Sequence, residues 1–295
     1  MDQLTAMRVF VAVAEAGGFA AAARRLGLST PTATRAVATL EERIGARLLH
    51  RTTRRVRPTE AGERFLGDCK RILADLAEAE ASAAGAHAEP RGELTVTAPV
   101  AFGRLHVAPL LFDFLDRHPR VAARLLLLDR VTDLVEEGMD AGVRIGRLPD
   151  STLRAVRVGT VRLIVCAAPD YLARHGTPRT PADLAGHRAV TFSPAGTWRD
   201  WSFPGGTVTP PSRLVVNTAD AAVAAAVAGH GLTRVLSYQA AADLRAGRLL
   251  AVLADAEPPP LPVQIVHAEG RHAAAKVRAF IGFAAERLRA VLGPS

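Results

Sequence analysis

Cysteine, aromatic residues and long apolar runs are all scarce in this chain of 295 residues. The two cysteines, Cys69 and Cys166, are too few for a disulfide framework or a zinc site. No apolar run approaches the roughly 18 to 20 residues that a membrane span requires, and the first apolar segment is interrupted by Arg8 and Glu15. The start also lacks the features of a secretory signal. We therefore expect a cytoplasmic protein without a membrane partner.

Lysine is scarce as well, with two residues against 35 arginines, and acidic residues are scarce at one end. Residues 1–58 contain ten arginines and four acidic residues, a net charge of +6 out of +8 for the whole chain. Codon usage explains the excess of arginine over lysine, but it does not explain the local shortage of acids. Such an asymmetry is typical of a nucleic-acid-binding module joined to a nearly neutral second domain.

The basic segment 1–58 has the pattern of a winged helix-turn-helix. Apolar residues at helical spacing predict helices over 4–16, 19–26 and 29–44. Glycines lie between the first and second helices and between the second and third. The predicted buried face of the third helix contains Val37, Leu40 and Ile44. Residues 47–58 follow as a two-stranded wing with arginines around a polar tip.

The start of the third helix is predicted to enter the major groove of double-stranded DNA. It carries three hydroxyl groups, on Thr30, Thr32 and Thr34, followed by Arg35. Arginine forms bidentate hydrogen bonds with guanine, whereas the plain alternative for Arg35 is a solvated surface charge. A capping role would occupy the Thr30 hydroxyl instead. The wing residues Arg51 and Arg54 are expected to contact phosphate or the minor groove, which strengthens binding without selecting sequence.

Residues 59–88 are predicted to form one long linker helix. Its apolar residues alternate four and three apart over nearly three heptads, at Phe65, Cys69, Ile72, Leu76, Ala79 and Ala83. A stripe of this width favours pairing with a second copy of the chain. The alternative is packing against its own wing. Either way, Cys69 is interpreted as a core residue.

From residue 89 onward strands and helices alternate, which predicts an α/β domain over 89–295. The pattern includes helices over 103–117 and 131–137 and one strand over 161–167. About 200 residues are generous for one α/β unit, so two lobes with a cleft between them are expected. We assign lobe I to 92–162 with 267–295 and lobe II to 163–266.

Motifs for catalysis or cofactor binding are missing from the sequence. There is no G-x-S-x-G, H-E-x-x-H, Walker A or dinucleotide glycine pattern. The nine histidines are scattered without metal-ligand spacing, and Cys166 lies in an apolar strand, where a structural role is expected. We therefore expect no catalytic residue, metal or cofactor. The alternative is an enzyme for an anionic small molecule with a DNA-binding appendage.

Taken together, these segments resemble the LysR-type transcriptional regulators over essentially the whole chain. The motifs that carry the resemblance lie at 19–26, 28–29, 34–37, 40–41, 48–54, 59–62, 92–99, 102–104, 140–146 and 168–172. The resemblance implies two Rossmann-like lobes, as in type II periplasmic binding proteins, preceded by the winged helix-turn-helix and linker helix. It implies crossover strands near 164–167 and 263–266. It also implies homodimers or tetramers formed through that helix, an interrupted inverted-repeat operator and a small-molecule effector in the cleft. RNA polymerase is a further candidate partner.

Residue by residue, the resemblance places DNA contacts on Thr30, Pro31, Thr34, Arg35 and Arg54, with Thr34 where the family usually has serine. The matching effector positions are Val100, Ala101, Phe102, Asp129, Arg130, Arg144, Ile145, Phe192 and Ser193.

One departure concerns Val100 and Ala101, which stand where the family commonly has serine or threonine. A ligand carboxylate would then rely on Arg130, Arg144 or the backbone N–H groups near Gly103. The departure favours an apolar or aromatic effector, for which Phe102, Trp198 and Trp201 are candidate walls. For Arg144 the alternative is an internal pair with Asp140 or Asp150.

Overall fold

The structure is a computed structural model that describes residues 2–51, 56–83, 89–148, 153–193, 200–268 and 274–293. The chain divides into two compact units, residues 1–89 and 90–295. In the part that the structure describes, no helix has both the length and the apolar character of a membrane span.

The first unit contains three short helices, a two-stranded wing and a long helix. Its elements are α1 (Gln3–Ala16), α2 (Phe19–Leu26), α3 (Thr30–Ile44), β1 (Leu49–Arg51), β2 (Val56–Pro58) and α4 (Glu60–Ala83). The first three helices each end at a glycine with positive φ, at Gly17, Gly27 and Gly45, because a left-handed residue closes the last turn without a Cβ clash. The predicted helix-turn-helix and wing are present.

The core of this unit is formed by the facing sides of the three short helices, around Phe10, Val13 and Val37. Ile44, which was predicted to be buried, is 39% accessible, and Leu26 is 37% accessible. Each is the last residue of its helix. In both helices, the apolar stripe therefore extends one residue beyond the part of the helix that packs in the core.

The long helix α4 begins against the wing. Thr59 precedes it, donates its backbone N–H to the Leu48 carbonyl at 2.9 Å and accepts the Gly62 N–H on its hydroxyl at 2.9 Å. The approach is close, because a Cβ added at Gly62 would lie 1.9 Å from the Leu48 oxygen. Gly62 thus permits the contact between helix and wing.

The first half of the stripe on α4 packs into its own unit. Phe65 lies 5.8 Å from the Phe10 ring, and Cys69 is fully buried in the same core, which raises the pKa of its thiol to about 11. The prediction of a core role for Cys69 is confirmed. Ile72 is 38% exposed, and residues 84–88 at the predicted end of the linker lie outside the described residues.

The second unit begins with strands and helices in alternation. The elements are β3 (Gly92–Ala98), α5 (Val100–Phe102), a π-helical turn (Gly103–Val107), α6 (Ala108–Arg117), β4 (Val121–Leu127), β5 (Ala141–Ile145), β6 (Arg154–Val161), β7 (Leu163–Ala167), α7 (Pro169–His175), β8 (Ala189–Phe192), β9 (Trp201–Phe203), β10 (Gly206–Val208), β11 (Ser212–Val216), α8 (Ala219–Val227), β12 (Leu232–Leu236), α9 (Ala241–Arg245), β13 (Leu250–Val252), β14 (Leu261–His267) and α10 (Ala275–Leu292).

Two five-stranded sheets define two lobes of this unit. Lobe I contains the order β4-β3-β5-β14-β6, and lobe II contains β11-β8-β12-β7-β13. The chain crosses from lobe I to lobe II at Arg162, between β6 and β7, and returns after β13 to β14. Strand β14 pairs antiparallel with both β5 and β6. The predicted α/β architecture with two lobes is therefore confirmed. The lobe boundary differs from the one assigned, since residues 261–266 of β14 lie in the sheet of lobe I and not in lobe II.

Three local predictions for this unit were wrong. The predicted helix 131–137 is reduced to a single turn, which the Asp133 carboxylate caps by accepting the backbone N–H groups of Val135 and Glu136 and which ends at Gly138 with positive φ. The predicted strand 161–167 is split between β6 and β7, which belong to different sheets. The helix predicted from residue 103 begins at Val100 and includes a π-helical turn.

A glycine pair on α4 tests the contact between helix and wing. We expect Gly62→Ala to lower the free energy of unfolding by about 1 to 3 kcal/mol, because a backbone carbonyl must move. Gly67 has no atom within 4 Å of an added Cβ, so Gly67→Ala should raise it by up to about 1 kcal/mol through helix propensity. Urea unfolding followed by circular dichroism measures both. Equal effects of the two substitutions would contradict the proposed steric role.

Candidate functional site

The first two turns of α3 present a polar surface. Ser29, the residue before the helix, accepts the Thr32 N–H at 3.2 Å, and its hydroxyl lies 2.7 Å from the Thr32 hydroxyl. Ser29 is therefore the N-cap, and Thr30 is the first helical residue with an exposed side chain. The Thr30 hydroxyl is therefore not used to cap the helix.

The remaining predicted contacts on α3 lie on the same end of the helix. Pro31 and Arg35 are exposed, and Thr34 is half-buried and donates its hydroxyl to the Thr30 carbonyl at 2.9 Å. Among the described residues Arg35 forms no ion pair. Arg54 and the side chain of Arg51 lie outside the described part of the wing.

A buried carboxylate joins α3 to the wing. Glu41 is almost fully buried and accepts the backbone N–H groups of Leu48 at 2.8 Å and Leu49 at 3.1 Å. One guanidinium nitrogen of Arg47 lies 4.0 Å from the same carboxylate. Sequence reasoning missed this role, although an acidic residue directly after the core position Leu40 was the available signal.

The second unit contains a cleft of about 410 Å³ whose walls come from both lobes. Five of the predicted effector residues line it, namely Asp129, Arg130, Arg144, Ile145 and Phe192. The other lining residues are Pro99, Leu128, Val131, Leu163, Thr191, Asp200, Trp201, Arg234, Leu236, Tyr238, Gln239 and Leu261. Of the predicted aromatic walls, Trp201 lines the cleft and Trp198 lies outside the described residues.

Four predicted effector residues lie behind the cleft surface. Phe102 and Ala101 are buried, and the Phe102 ring meets the cleft residue Tyr238 edge-on at 5.2 Å. Val100 donates its backbone N–H to the Asp129 carboxylate at 2.9 Å. Ser193 is buried, and its N–H bonds to the Val216 carbonyl at 2.8 Å. The helix start is thus already engaged by a protein carboxylate.

Arg144 reaches the cleft from β5, and it does not form the pair with Asp140 that was considered for it. It donates to the carbonyl of Thr132 at 3.3 Å and to the Thr132 hydroxyl. Asp140 instead pairs with Lys276 at 3.1 Å and accepts the Thr95 N–H at 2.8 Å, while Asp150 lies outside the described residues. Burial lowers the pKa of Arg144, since the charged form is poorly solvated.

The other predicted cleft arginine is neutralised at the rim. Arg130 is exposed and forms two hydrogen bonds with the Glu137 carboxylate, at 2.8 and 2.7 Å. This bond raises the pKa of Arg130.

Arg234 on β12 is a cleft residue that sequence reasoning missed. Its guanidinium lies 4.7 Å from the centre of the Phe203 ring and donates to the Ser202 carbonyl. Its Nε atom is buried with no hydrogen-bond partner among the described residues, and burial lowers its pKa. A single charged residue inside the short apolar strand β12 was the available signal.

Polar contacts join the segments where the chain passes between lobes. The Arg162 guanidinium lies 3.2 Å from the Glu257 carboxylate, and the Arg162 carbonyl accepts the Ser237 N–H at 2.8 Å. Arg104 of the π-helical turn donates to both carboxylate oxygens of Asp220 in α8, at 2.9 and 3.1 Å. The Arg104–Asp220 pair is exposed on both sides and so contributes little stability, whereas the Glu257 carboxylate is mostly buried.

Two known families match the chain over separate ranges. Residues 87–289 match the LysR substrate binding domain, and residues 4–63 match the bacterial regulatory helix-turn-helix proteins of the lysR family. The chain belongs to the LysR-type transcriptional regulators. The regulator therefore combines a DNA-binding helix-turn-helix with an effector-binding domain.

Individual relatives match this LysR-type regulator over nearly its full length. An HTH-type transcriptional repressor of Pseudomonas aeruginosa is 35% identical over 297 residues, which cover 97% of the regulator and 92% of the relative. The solved structure of CrgA from Neisseria meningitidis has a TM-score of 0.62 and 30% identity, with coverage of 96% and 98%. The full-length structure of AphB, a Vibrio cholerae virulence activator, has a TM-score of 0.60 and 28% identity, again with coverage of 96% and 98%.

Glu41 and its neighbour Glu42 test the link between α3 and the wing of the regulator. Glu41→Ala leaves two buried N–H groups without an acceptor, so we expect a loss of about 1 to 3 kcal/mol in the free energy of unfolding. Glu42 is exposed, and Glu42→Ala should change it by less than about 0.5 kcal/mol. Urea unfolding of both variants provides the measurement. A Glu41→Ala protein as stable as Glu42→Ala would show that the buried bonds contribute nothing.

Proposed function

We propose that this regulator reads an interrupted inverted-repeat operator through the first two turns of α3, and that a small molecule in the cleft adjusts this binding. The observation that carries the first part is the exposed start of α3 in a segment of net charge +6. Helix-turn-helix proteins insert this part of the second helix into the major groove.

The proposed division of labour on DNA follows from side-chain chemistry. Arg35 reads a guanine through its two-pronged guanidinium, and the exposed Thr30 and Pro31 contact the backbone or base edges beside it. Thr32 and Thr34 hold the helix start through the bonds described above and meet DNA with their remaining hydroxyl capacity. Arg51 and Arg54 of the wing contact phosphate.

We further propose that two copies of the chain associate through α4. Ile72 follows the packed residues Phe65 and Cys69 on the same stripe, and it is exposed within the single chain. A second copy covers this position in the proposed dimer. A two-fold dimer presents two α3 helices related by symmetry, which matches an operator made of inverted half-sites.

Effector binding acts on the arrangement of the two lobes in this proposal. A ligand that contacts both walls of the cleft favours one arrangement over another by its difference in affinity. Support comes from the cleft walls, which are contributed by both sheets, and from the two chain crossings beside Arg162 and Glu257.

We propose that the regulator acts by binding and not by catalysis. The enzyme alternative requires an activated group in the effector domain. The Cys166 thiol is fully buried, and burial raises its pKa to about 12, so it is protonated at neutral pH and a poor nucleophile.

Substitutions at Arg35 and Arg54 distinguish sequence-specific DNA binding from general DNA affinity. Arg35→Ala should weaken binding to operator DNA from the regulator's own upstream region by about 1 to 3 kcal/mol, with little change on a scrambled duplex. Arg54→Ala should weaken binding to both duplexes alike and reduce the salt dependence. Fluorescence anisotropy at several salt concentrations provides the measurement. Identical behaviour of the two variants would refute these roles, and equal binding of operator and scrambled DNA by the unmodified protein would refute the proposed function.

Ile72 tests association through α4. Ile72→Glu places a charge in the proposed apolar contact, so the mass in sedimentation velocity should fall towards the 31.2 kDa of one chain. Arg71→Glu adds the same carboxylate on another face of the helix and should leave the mass unchanged. An Ile72→Glu protein that keeps the full mass would exclude this contact.

A further inference from the structure

Two arginines, one from each lobe, line the cleft without a counter-ion among the residues that the structure describes. Arg144 comes from β5 of lobe I and Arg234 from β12 of lobe II, and both are half-buried. Neither forms an ion pair with any residue that the structure describes. Arginine is almost always paired where it is buried, so this pair of cations is the unusual feature of the cleft.

The hydrogen bonds of the two guanidinium groups go to uncharged oxygens. Arg144 donates to Thr132 and to the Val143 carbonyl at 3.4 Å, and Arg234 donates to the Ser202 carbonyl. The buried Nε of Arg234 has no acceptor among the described residues. A cation that has lost part of its hydration is unfavourable without a counter-ion, and an anion bound beside the guanidinium group compensates its charge.

The other charged groups of the cleft are already engaged. Arg130 is neutralised by Glu137, Asp129 accepts the Val100 N–H, and Asp200 accepts the Thr209 hydroxyl at 2.6 Å. Both aspartates are exposed, so water solvates their charge. Glu137 also acts on Arg144 at longer range, but its carboxylate is hydrogen-bonded to Arg130. Among the described residues, no carboxylate contacts the guanidinium group of Arg144 or Arg234.

The remaining walls of the cleft are mostly apolar. They include Leu128, Ile145, Phe192, Trp201 and Leu236. A cavity of about 410 Å³ lies within the usual range for small-molecule sites, in which apolar walls hold the body of the ligand and a few polar groups orient it.

We propose that the effector is an organic carboxylate with an aromatic or bulky apolar body. Its carboxylate serves as the counter-ion of Arg144 and Arg234, and its body packs against Trp201 and Phe192. This inference rests on the proposed function and specifies the ligand of the same cleft. Since the two arginines belong to different lobes, one anion between them favours the lobe arrangement in which both reach it.

The test uses matched pairs of acid and amide on the full-length protein. Isothermal titration calorimetry compares 3-phenylpropionate, cinnamate, indole-3-acetate and 2-naphthoate with their primary amides, which keep the shape and lose the charge. We expect at least one acid to bind at least about tenfold more tightly than its amide. Binding of no acid, or equal binding of acids and amides, would overturn the proposal.

Arginine variants locate the charge recognition. Arg234→Gln and Arg144→Gln should each weaken binding of the acid at least about tenfold and leave any affinity for the amide unchanged. Arg248→Gln is the control, since Arg248 is exposed and paired with Asp243 at 2.7 Å, and it should bind the acid normally. Circular dichroism verifies that each variant is folded. If both cleft variants bind the acid as tightly as the control, the assignment is wrong.

Operator binding is measured in the same samples. Discrimination between operator and scrambled DNA without any acid–amide difference overturns the ligand class and retains the DNA-binding regulator. If the unmodified protein binds operator and scrambled DNA equally, the proposed function itself is overturned.

Discussion

The effector domain depends on the position of β14 in its sheet. This strand follows all of lobe II in sequence, yet it inserts between β5 and β6 of lobe I and pairs with both. The chain must therefore cross between lobes twice, and the cleft lies beside those crossings. In the same register Gln264 lies opposite Arg144, so the pairing that closes lobe I also holds a cleft arginine in place. A hinged pair of lobes follows from this one insertion.

In the DNA-binding unit, a short series of hydrogen bonds connects α3, the wing and α4. The Glu41 carboxylate holds the backbone of Leu48 and Leu49, and the Leu48 carbonyl in turn accepts the Thr59 N–H at the start of α4. Gly62 permits that approach. The orientation of the wing beside α3 is thus set by hydrogen bonds to the wing's backbone.

Local chemistry made much of the fold predictable, and long-range pairing accounts for the errors. Helix ends at Gly17 and Gly27 follow from the conformational freedom of glycine, and the core role of Cys69 follows from spacing. The single turn within 131–137 ends at Gly138, whose positive φ is not visible in the apolar pattern. The split of 161–167 into two strands depends on partners distant in sequence. Arg234 was overlooked for the same reason, because only pairing of β12 with β7 brings it to the cleft.

The cleft also accounts for the absence of a hydroxyl residue at Val100 and Ala101. The N–H of Val100 already bonds to Asp129, so a ligand anion at the helix start would meet a carboxylate in its place. Among the described residues, the cleft cations that no carboxylate contacts lie instead on the strands, at Arg144 and Arg234. In the proposed effector site, anion recognition lies on two side chains of opposite lobes and not at the helix start. An apolar body and a negative charge are then compatible in one ligand, since the walls and the two arginines recognise different parts of it.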